Sequence, residues 1–206
     1  MSSIGNIQGV SNVNIQSMDL ETALMMVQQQ RTQLLDAQLN SQIQEVQNRN
    51  GQISKLNDVL AGLNAANAMF AGDAKPDAKL GDTKGWKDES VNGAYPTERS
   101  MNTAMINAGI NLGLTSAADG ALTNTKNANG SEVRIDGGIR GMTTKSQVDA
   151  AIAKVKGQID SLGNSQQMDM LRLQSLTNKR NEAFDVMTNF VKKMQESRSS
   201  IIGNMR

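Results

Sequence analysis

The sequence predicts a mainly all-α protein: a long antiparallel coiled-coil helical hairpin of N- and C-terminal helices, with an irregular α/β insert between them. Three observations predict this. Apolar residues at both ends recur at interleaved positions seven residues apart. Both prolines, Pro76 and Pro96, lie between these stretches, together with Trp86, Tyr95 and many of the glycines. Finally, a narrow apolar stripe along a helix is buried only by another helix, from this chain or from a copy of it.

Residues 1–16 are rich in Ser, Asn, Ile and Gly and read as a flexible or extended tail. They lack the basic start, apolar block and small-residue cleavage site of a secretory signal peptide. A long helix is expected over 17–71, opening near Met18 or Asp19. Its early stripe uses Leu20, Leu24, Val27, Leu34 and Leu35. The heptad series Leu39, Val46, Ile53, Leu60 then pairs with Leu56, Leu63 and Phe70. Gln42 and Arg49 stand in the second series where apolar residues are expected. Asn50-Gly51 is a turn signal in isolation, but the apolar phase passes through it unchanged, so one continuous helix is expected.

Residues 72–142 form the middle domain. Gly72-Asp-Ala-Lys-Pro76 is expected to end the first helix. A short helix is predicted from Thr97 to about Ala108, with Met101, Ala104, Met105 and Ala108 on one side, and another near Ser116–Leu122. Glu132-Val-Arg-Ile135, followed by Asp136-Gly-Gly, reads as an isolated strand and turn.

The second long helix is expected over 143–206. Its two series are Ile152, Ile159, Gln166, Leu173, Arg180, Met187, Met194, Ile201 and Val148, Val155, Leu162, Asp169, Leu176, Ala183, Phe190, Ser197. Thr144-Lys-Ser-Gln147 has the form of a capping box. Gly157 and Gly163-Asn164 are the expected bend points. Gln166 and Asp169 make a polar layer, which in a coiled coil fixes register or oligomer state at a cost in stability.

Composition narrows the function. The 206 residues include 21 basic and 20 acidic side chains, a net charge of +1. That balance gives no electrostatic reason to expect nucleic acid or a membrane surface as partner. With three Phe, one Trp and one Tyr there is little to stack bases on. Cysteine and histidine are absent, which removes disulfides, thiol nucleophiles, the usual zinc sites and any Ser-His pair. The 13 methionines suit helix contacts that adapt to more than one partner. No apolar run approaches the ~20 residues that span a bilayer, so stable membrane insertion is not expected.

No candidate chemistry survives inspection. Asp136-Gly-Gly-Ile-Arg-Gly141 has no strong strand before it and no Lys-Ser pair after it, both of which a phosphate cradle needs, and reads as a turn. Thr125, Asn127, Asn129 and Gly130 echo a calcium loop without its acidic first position or its closing Glu. Lys179-Arg180 and Lys192-Lys193 read as a solvated helix face. Neither an enzyme nor a cofactor is expected. The remaining signal is self-association. Leu24, Met25, Met26, Leu34 and Ile43 lie beyond the first helix's seam, and Met168, Leu171, Phe184, Val186, Val191 and Ile202 beyond the second's. A two-helix hairpin cannot bury stripes that wide. The coiled-coil and assembly interface is expected at Leu24, Val27, Leu35, Leu39, Val46, Ile53, Leu56, Leu60 and Leu63, and at Ile152, Val155, Ile159, Leu162, Leu173, Leu176, Met187, Phe190, Met194 and Ile201. Head-to-tail repetition of a non-closing contact gives a filament.

The chain resembles the EspA-like filament and needle-tip proteins of bacterial type III secretion systems, and within them is most similar to the Bordetella-type tip filament subunits. The resemblance lies in Asp19-Leu-Glu-Thr-Ala-Leu-Met-Met-Val27, Gln30-Arg-Thr-Gln-Leu-Leu-Asp-Ala-Gln38, Gln147-Val-Asp-Ala-Ala-Ile152, Asn164-Ser-Gln-Gln167 and Met194-Gln-Glu-Ser-Arg-Ser-Ser-Ile-Ile202. It covers the two helices, and the middle segment matches no pattern of the family. It implies a secreted structural subunit that polymerises through its helical hairpin on the needle at the bacterial cell surface. The implied hollow conduit links the needle to the translocon pore proteins of the host membrane. The implied partners are copies of itself, the needle subunit, the pore proteins and a cytoplasmic type III chaperone, and the tail would serve as an uncleaved export signal. Two alternatives stand beside it: a non-polymerising coiled-coil binding module, such as a translocator accessory or chaperone, and a flagellin-like axial protein.

Overall fold

The computed structural model describes residues 20–116 and 120–204. The tail 1–16 with its expected export signal, the first residues of the helix expected from 17, and the C-terminal Met205 and Arg206 lie outside the described residues. So do the side chains of Leu20, Glu21, Asn92, Ile201 and Gly203. The elements in order are α1 (Leu20–Asn67), α2 (Lys84–Glu89), α3 (Pro96–Ala108), β1 (Ala121–Lys126), β2 (Glu132–Ile135) and α4 (Lys145–Asn204), with single 3-10 turns at Leu80–Asp82 and Val91–Gly93. The chain is mostly helical, and its two long helices, of 48 and 60 residues, pack together. It divides into two compact units: Glu45–Asp169, and Met1–Gln44 with Met170–Arg206.

The Glu45–Asp169 unit holds the main core. Leu56, Val59, Leu63 and Ala66 of α1 meet Val148, Ala151 and Val155 of α4, and Met101, Met105 and Ala108 of α3 close over them with Leu80, Trp86 and Ile139. Gly62 permits the crossing of α3 over α1, because a Cβ there would lie 2.7 Å from Met101 Cβ. Where α1 ends, the chain turns through residues 68–70 and buries Phe70, a few residues before the expected stop at Gly72-Pro76. The capping box at the start of α4 forms reciprocally. The Thr144 N–H donates to Gln147 Oε1 at 2.9 Å and the Gln147 N–H donates to Thr144 Oγ1 at 3.4 Å, satisfying two donors that a helix start leaves orphaned.

Pro96, at the head of α3, supplies a fixed φ and lacks the N–H that would go unpaired there. Gly109 ends the helix with φ 66°, which glycine adopts without a Cβ penalty. Of the helix expected near Ser116–Leu122, residues 117–119 lie outside the described residues, and its last two, Ala121 and Leu122, open a strand: Ala121–Lys126 pairs antiparallel with Glu132–Ile135, so the strand expected to be isolated has a partner. Tertiary contacts decide this. The backbone of β1 away from β2 is satisfied by side chains of α3. Glu98 accepts the Leu122 N–H at 2.8 Å, Asn102 Nδ2 donates to Leu122 O at 2.9 Å, Arg99 Nη1 donates to Thr123 O at 3.1 Å, and Thr103 Oγ1 accepts the Asn124 N–H at 2.8 Å. The polar face of α3 thus stands in for a third strand, pairing backbone groups that would be costly to bury alone.

In the unit of Gln44 and earlier residues with Met170 onward, burial is sparse. Thr32, Leu35, Gln42 and Ala183 are buried, and Leu39, Leu173, Leu176, Met187, Phe190 and Met194 are half-buried.

Candidate assembly surface

The long helices position their side chains by heptad spacing, and the structure sorts the expected interface residues into groups. In the Glu45–Asp169 unit, Leu56, Leu63 and Val155 are buried, while Val46, Ile53, Leu60, Ile152, Ile159 and Leu162 are half-buried. In the other unit, Leu35 is buried and Leu39, Leu173, Leu176, Met187, Phe190 and Met194 are half-buried, whereas Leu24 and Val27 are exposed. The Ile201 side chain lies outside the described residues. Most of the heptad residues are therefore occupied by packing within the chain. Leu24 and Val27 are left open, together with apolar side chains outside that set.

Those side chains are exposed on the helices' other faces. In the unit formed by the helix ends, Leu24, Val27, Leu34 and Ile43 of α1 are exposed, as are Met170, Leu171, Val186 and Ile202 of α4. Leu34 and Leu171 leave 59% and 61% of their surface open, so packing within the chain does not close them. Met25, Met26, Phe184 and Val191, also expected beyond the seam, are half-buried. In the other unit, Met168 is exposed in the same way.

The seam carries polar layers. In the Glu45–Asp169 unit, Arg49 Nε lies 2.9 Å from Asp169 Oδ2, with the two side chains 20% and 10% exposed, and Gln166 Nε2 donates to Asn50 Oδ1 at 2.8 Å. In the other unit, Arg172 Nη1 donates to Gln42 Oε1 at 3.5 Å, and Arg180 pairs with Asp36 while its guanidinium lies 5.1 Å from the Phe184 ring centroid. Within each unit a later residue on α1 meets an earlier one on α4. Gln42 and Arg49, which break the apolar pattern of α1, thus have polar partners opposite. Asp169 is buried in its pair, whereas the bond of Gln166 to Asn50 is exposed to solvent. Residue type and spacing flagged these positions. Nothing in the sequence paired Asp36 with Arg180, since Asp36 lies off both series.

The minor candidates resolve into local structure. Asn129 Oδ1 accepts the Ser131 N–H at 3.1 Å and Asn127 Nδ2 donates to Ser131 Oγ at 3.1 Å, so the calcium-like residues form the β1–β2 turn. Among the described residues no group of three or more His, Cys, Asp or Glu side chains gathers. The glycine cluster serves close packing: a Cβ at Gly138 would meet Asn102 Oδ1 at 2.6 Å, and Gly141 O accepts the Gly81 N–H at 2.7 Å. Gly157 and Gly163, expected as bend points, lie in uninterrupted helix, and a Cβ at either would have open space for 4 Å around it. Among the described residues no helix is long and apolar enough to cross a membrane. Compared with protein-family models, curated proteins and solved structures, the chain matches none.

Proposed function

We propose that α1 and α4 form an antiparallel coiled-coil hairpin, and that the chain is a secreted, self-polymerising subunit of a type III secretion needle tip or filament. In this reading copies pack through the helix ends into a hollow conduit between the needle and the host-membrane translocation pore. Needle subunit and pore proteins bound it at either end, and a cytoplasmic chaperone covers the polymerising helices before export. The observation that carries the self-association is the exposed apolar set of the helix-end unit: Leu24, Val27, Leu34, Leu171, Val186 and Ile202. Burying side chains of this kind is worth about 1.5–3 kcal/mol each, and packing within the chain leaves them open. The resemblance to the filament and tip family, carried by stretches that include Leu24, Val27, Leu34 and Ile202, supplies the secretion context.

Electron microscopy of the purified protein over a concentration series tests the reading. Uniform filaments that lengthen with concentration and need no second protein are the expected result. Leu34→Asp or Leu171→Asp should leave helical content unchanged and abolish growth. Wild type that stays monomeric at every concentration, or variants that polymerise normally, would sink the proposed interface.

A further inference from the structure

The exposed face of α1 in the helix-end unit has an order of its own. Leu24, Val27, Arg31 and Leu34, all exposed, follow one another at steps of three, four and three residues. That is the spacing of a second packing stripe beside the occupied seam. Arg31 breaks it with a charge. Its neighbours on this face, Val27 and Leu34, are apolar, and Arg31 makes no hydrogen bond or ion pair among the described residues. The seam shows how this chain treats such breaks. Arg49 interrupts the inner series of α1 and is answered by Asp169 of α4, while Arg180 of α4 is answered by Asp36 of α1.

The exposed face of α4 in the same unit carries the complementary shape. Ser175, Asn178, Lys179 and Glu182 stand at i, i+3, i+4 and i+7, the four residues that form a hole for a knob from another helix. They border an open groove of about 340 Å³. Toward the C-terminus its rim is acidic, since exposed Asp185 follows Glu182 by one turn. Toward the N-terminus its rim is Leu171 and Gln174, which carry no charge.

We infer that Leu34 of one copy seats in the α4 groove of a second copy, the two helices running antiparallel, with Arg31 held by that copy's Glu182 and Asp185. This pairing rests on the assembly reading above and names the surfaces that meet. Charge fixes the direction. With Leu34 seated, antiparallel helices carry Arg31 toward the acidic rim, whereas parallel ones carry it toward the uncharged one. Val27, four residues before Arg31, then comes level with exposed Val186, four residues after Glu182. The charge pair sets register and excludes wrong alignments more than it adds affinity. The two faces differ, so each copy offers its α1 stripe to one neighbour and its α4 groove to another, the head-to-tail contact that builds rings or filaments.

A charge exchange between copies of the full-length protein tests the pairing. Arg31→Glu, and the double variant Glu182→Lys with Asp185→Lys, each set like charges against one another at this contact. Each alone should need at least about tenfold more protein to grow filaments, with circular dichroism unchanged. An equimolar mixture of the two should grow near the wild-type concentration, because each altered face then meets the opposite charge on the other variant. The chain has no cysteine, so single introduced thiols give a second readout. In filaments under mild oxidation, copies bearing Leu34→Cys should cross-link to copies bearing Asn178→Cys and not to each other. Wild type that stays monomeric would overturn the assembly reading and this pairing together. Wild type that polymerises while either charge variant grows equally well would overturn the pairing alone. So would a mixture that grows no better than its parts, or Leu34→Cys copies bonded to one another.

Discussion

Glu98 illustrates what burial does to one side chain. Burial pushes its carboxyl above the usual glutamate range, against the pull of the Leu122 N–H and of Arg140, Arg134 and Arg99. The folded state therefore holds the Glu98 proton to higher pH than the unfolded chain does. Between the ordinary glutamate value and the raised one, the folded state binds more protons, so this group's contribution to stability falls as pH rises through that window. Urea unfolding of wild type and Glu98→Gln across a pH series should show this loss in wild type and its absence in the variant. Parallel pH profiles for the two proteins would refute it. Two glycines give a contrasting pair. Gly51 has open space around it, so Gly51→Ala should stabilise by roughly 0.4–1 kcal/mol through helix propensity and unfolded-state entropy. Gly62→Val drives a side chain into Met101 and should destabilise by about 1–3 kcal/mol. Chemical denaturation of both variants measures the difference in sign. The one local signal, the Asn50-Gly51 turn dipeptide, marks Gly51 as the suspect position and says nothing of Gly62, although both sit in the same helix. The distinction lies in what packs opposite. Asn102 is a similar case: it is fully buried, donates to Leu122 O and Ile139 O, and accepts the Ile139 N–H.

At the scale of elements, heptad spacing made α1 and α4 legible almost end to end, because the periodicity of a buried stripe is written in the chain itself. Capping chemistry placed the start of α4 for the same local reason. The polar layers show where local reading stops. Arg49 and Asp169 each read as an interruption, yet opposite one another they form a partly buried ion pair. Truncating Asp169 leaves Arg49 with only the looser contact to Glu45, 3.9 Å away, so Asp169→Ala should cost roughly 1–3 kcal/mol, given that Arg49 keeps some solvent contact. Replacing both with leucine should be neutral or stabilising, and a double-mutant cycle by urea unfolding checks this. If Asp169→Ala unfolds as wild type does, the pair contributes nothing. β1 shows the opposite failure. Ser116–Leu122 reads as helix, but the strand beginning at Ala121 exists because β2 and the side chains of α3 pair its backbone from both sides.

At the scale of the whole molecule, burial is divided unevenly between the units. The Glu45–Asp169 unit holds the extended apolar core, while few residues of the helix-end unit are buried. Local opening free energy follows buried contacts. Amide exchange of the unassembled protein should accordingly be slowest at Leu56–Ala66 and Val148–Val155 and fast over 20–44 and 170–204. If copies cover the exposed apolar set, exchange over those outer stretches should slow on assembly while the core stays the same. Uniform protection along both helices would contradict this division.

The sequence by itself determined the two long helices and the presence of apolar side chains beyond their seam, since each follows from periodicity and composition along the chain. Only the tertiary structure decided which heptad residues are closed off and which face outward. It also paired Arg49 with Asp169 and Asp36 with Arg180, turned Ala121–Lys126 into a strand, and gathered Trp86, Tyr95, Glu98, Thr115 and Arg134 around one cavity. These depend on contacts between residues far apart in the chain, which no local spacing encodes.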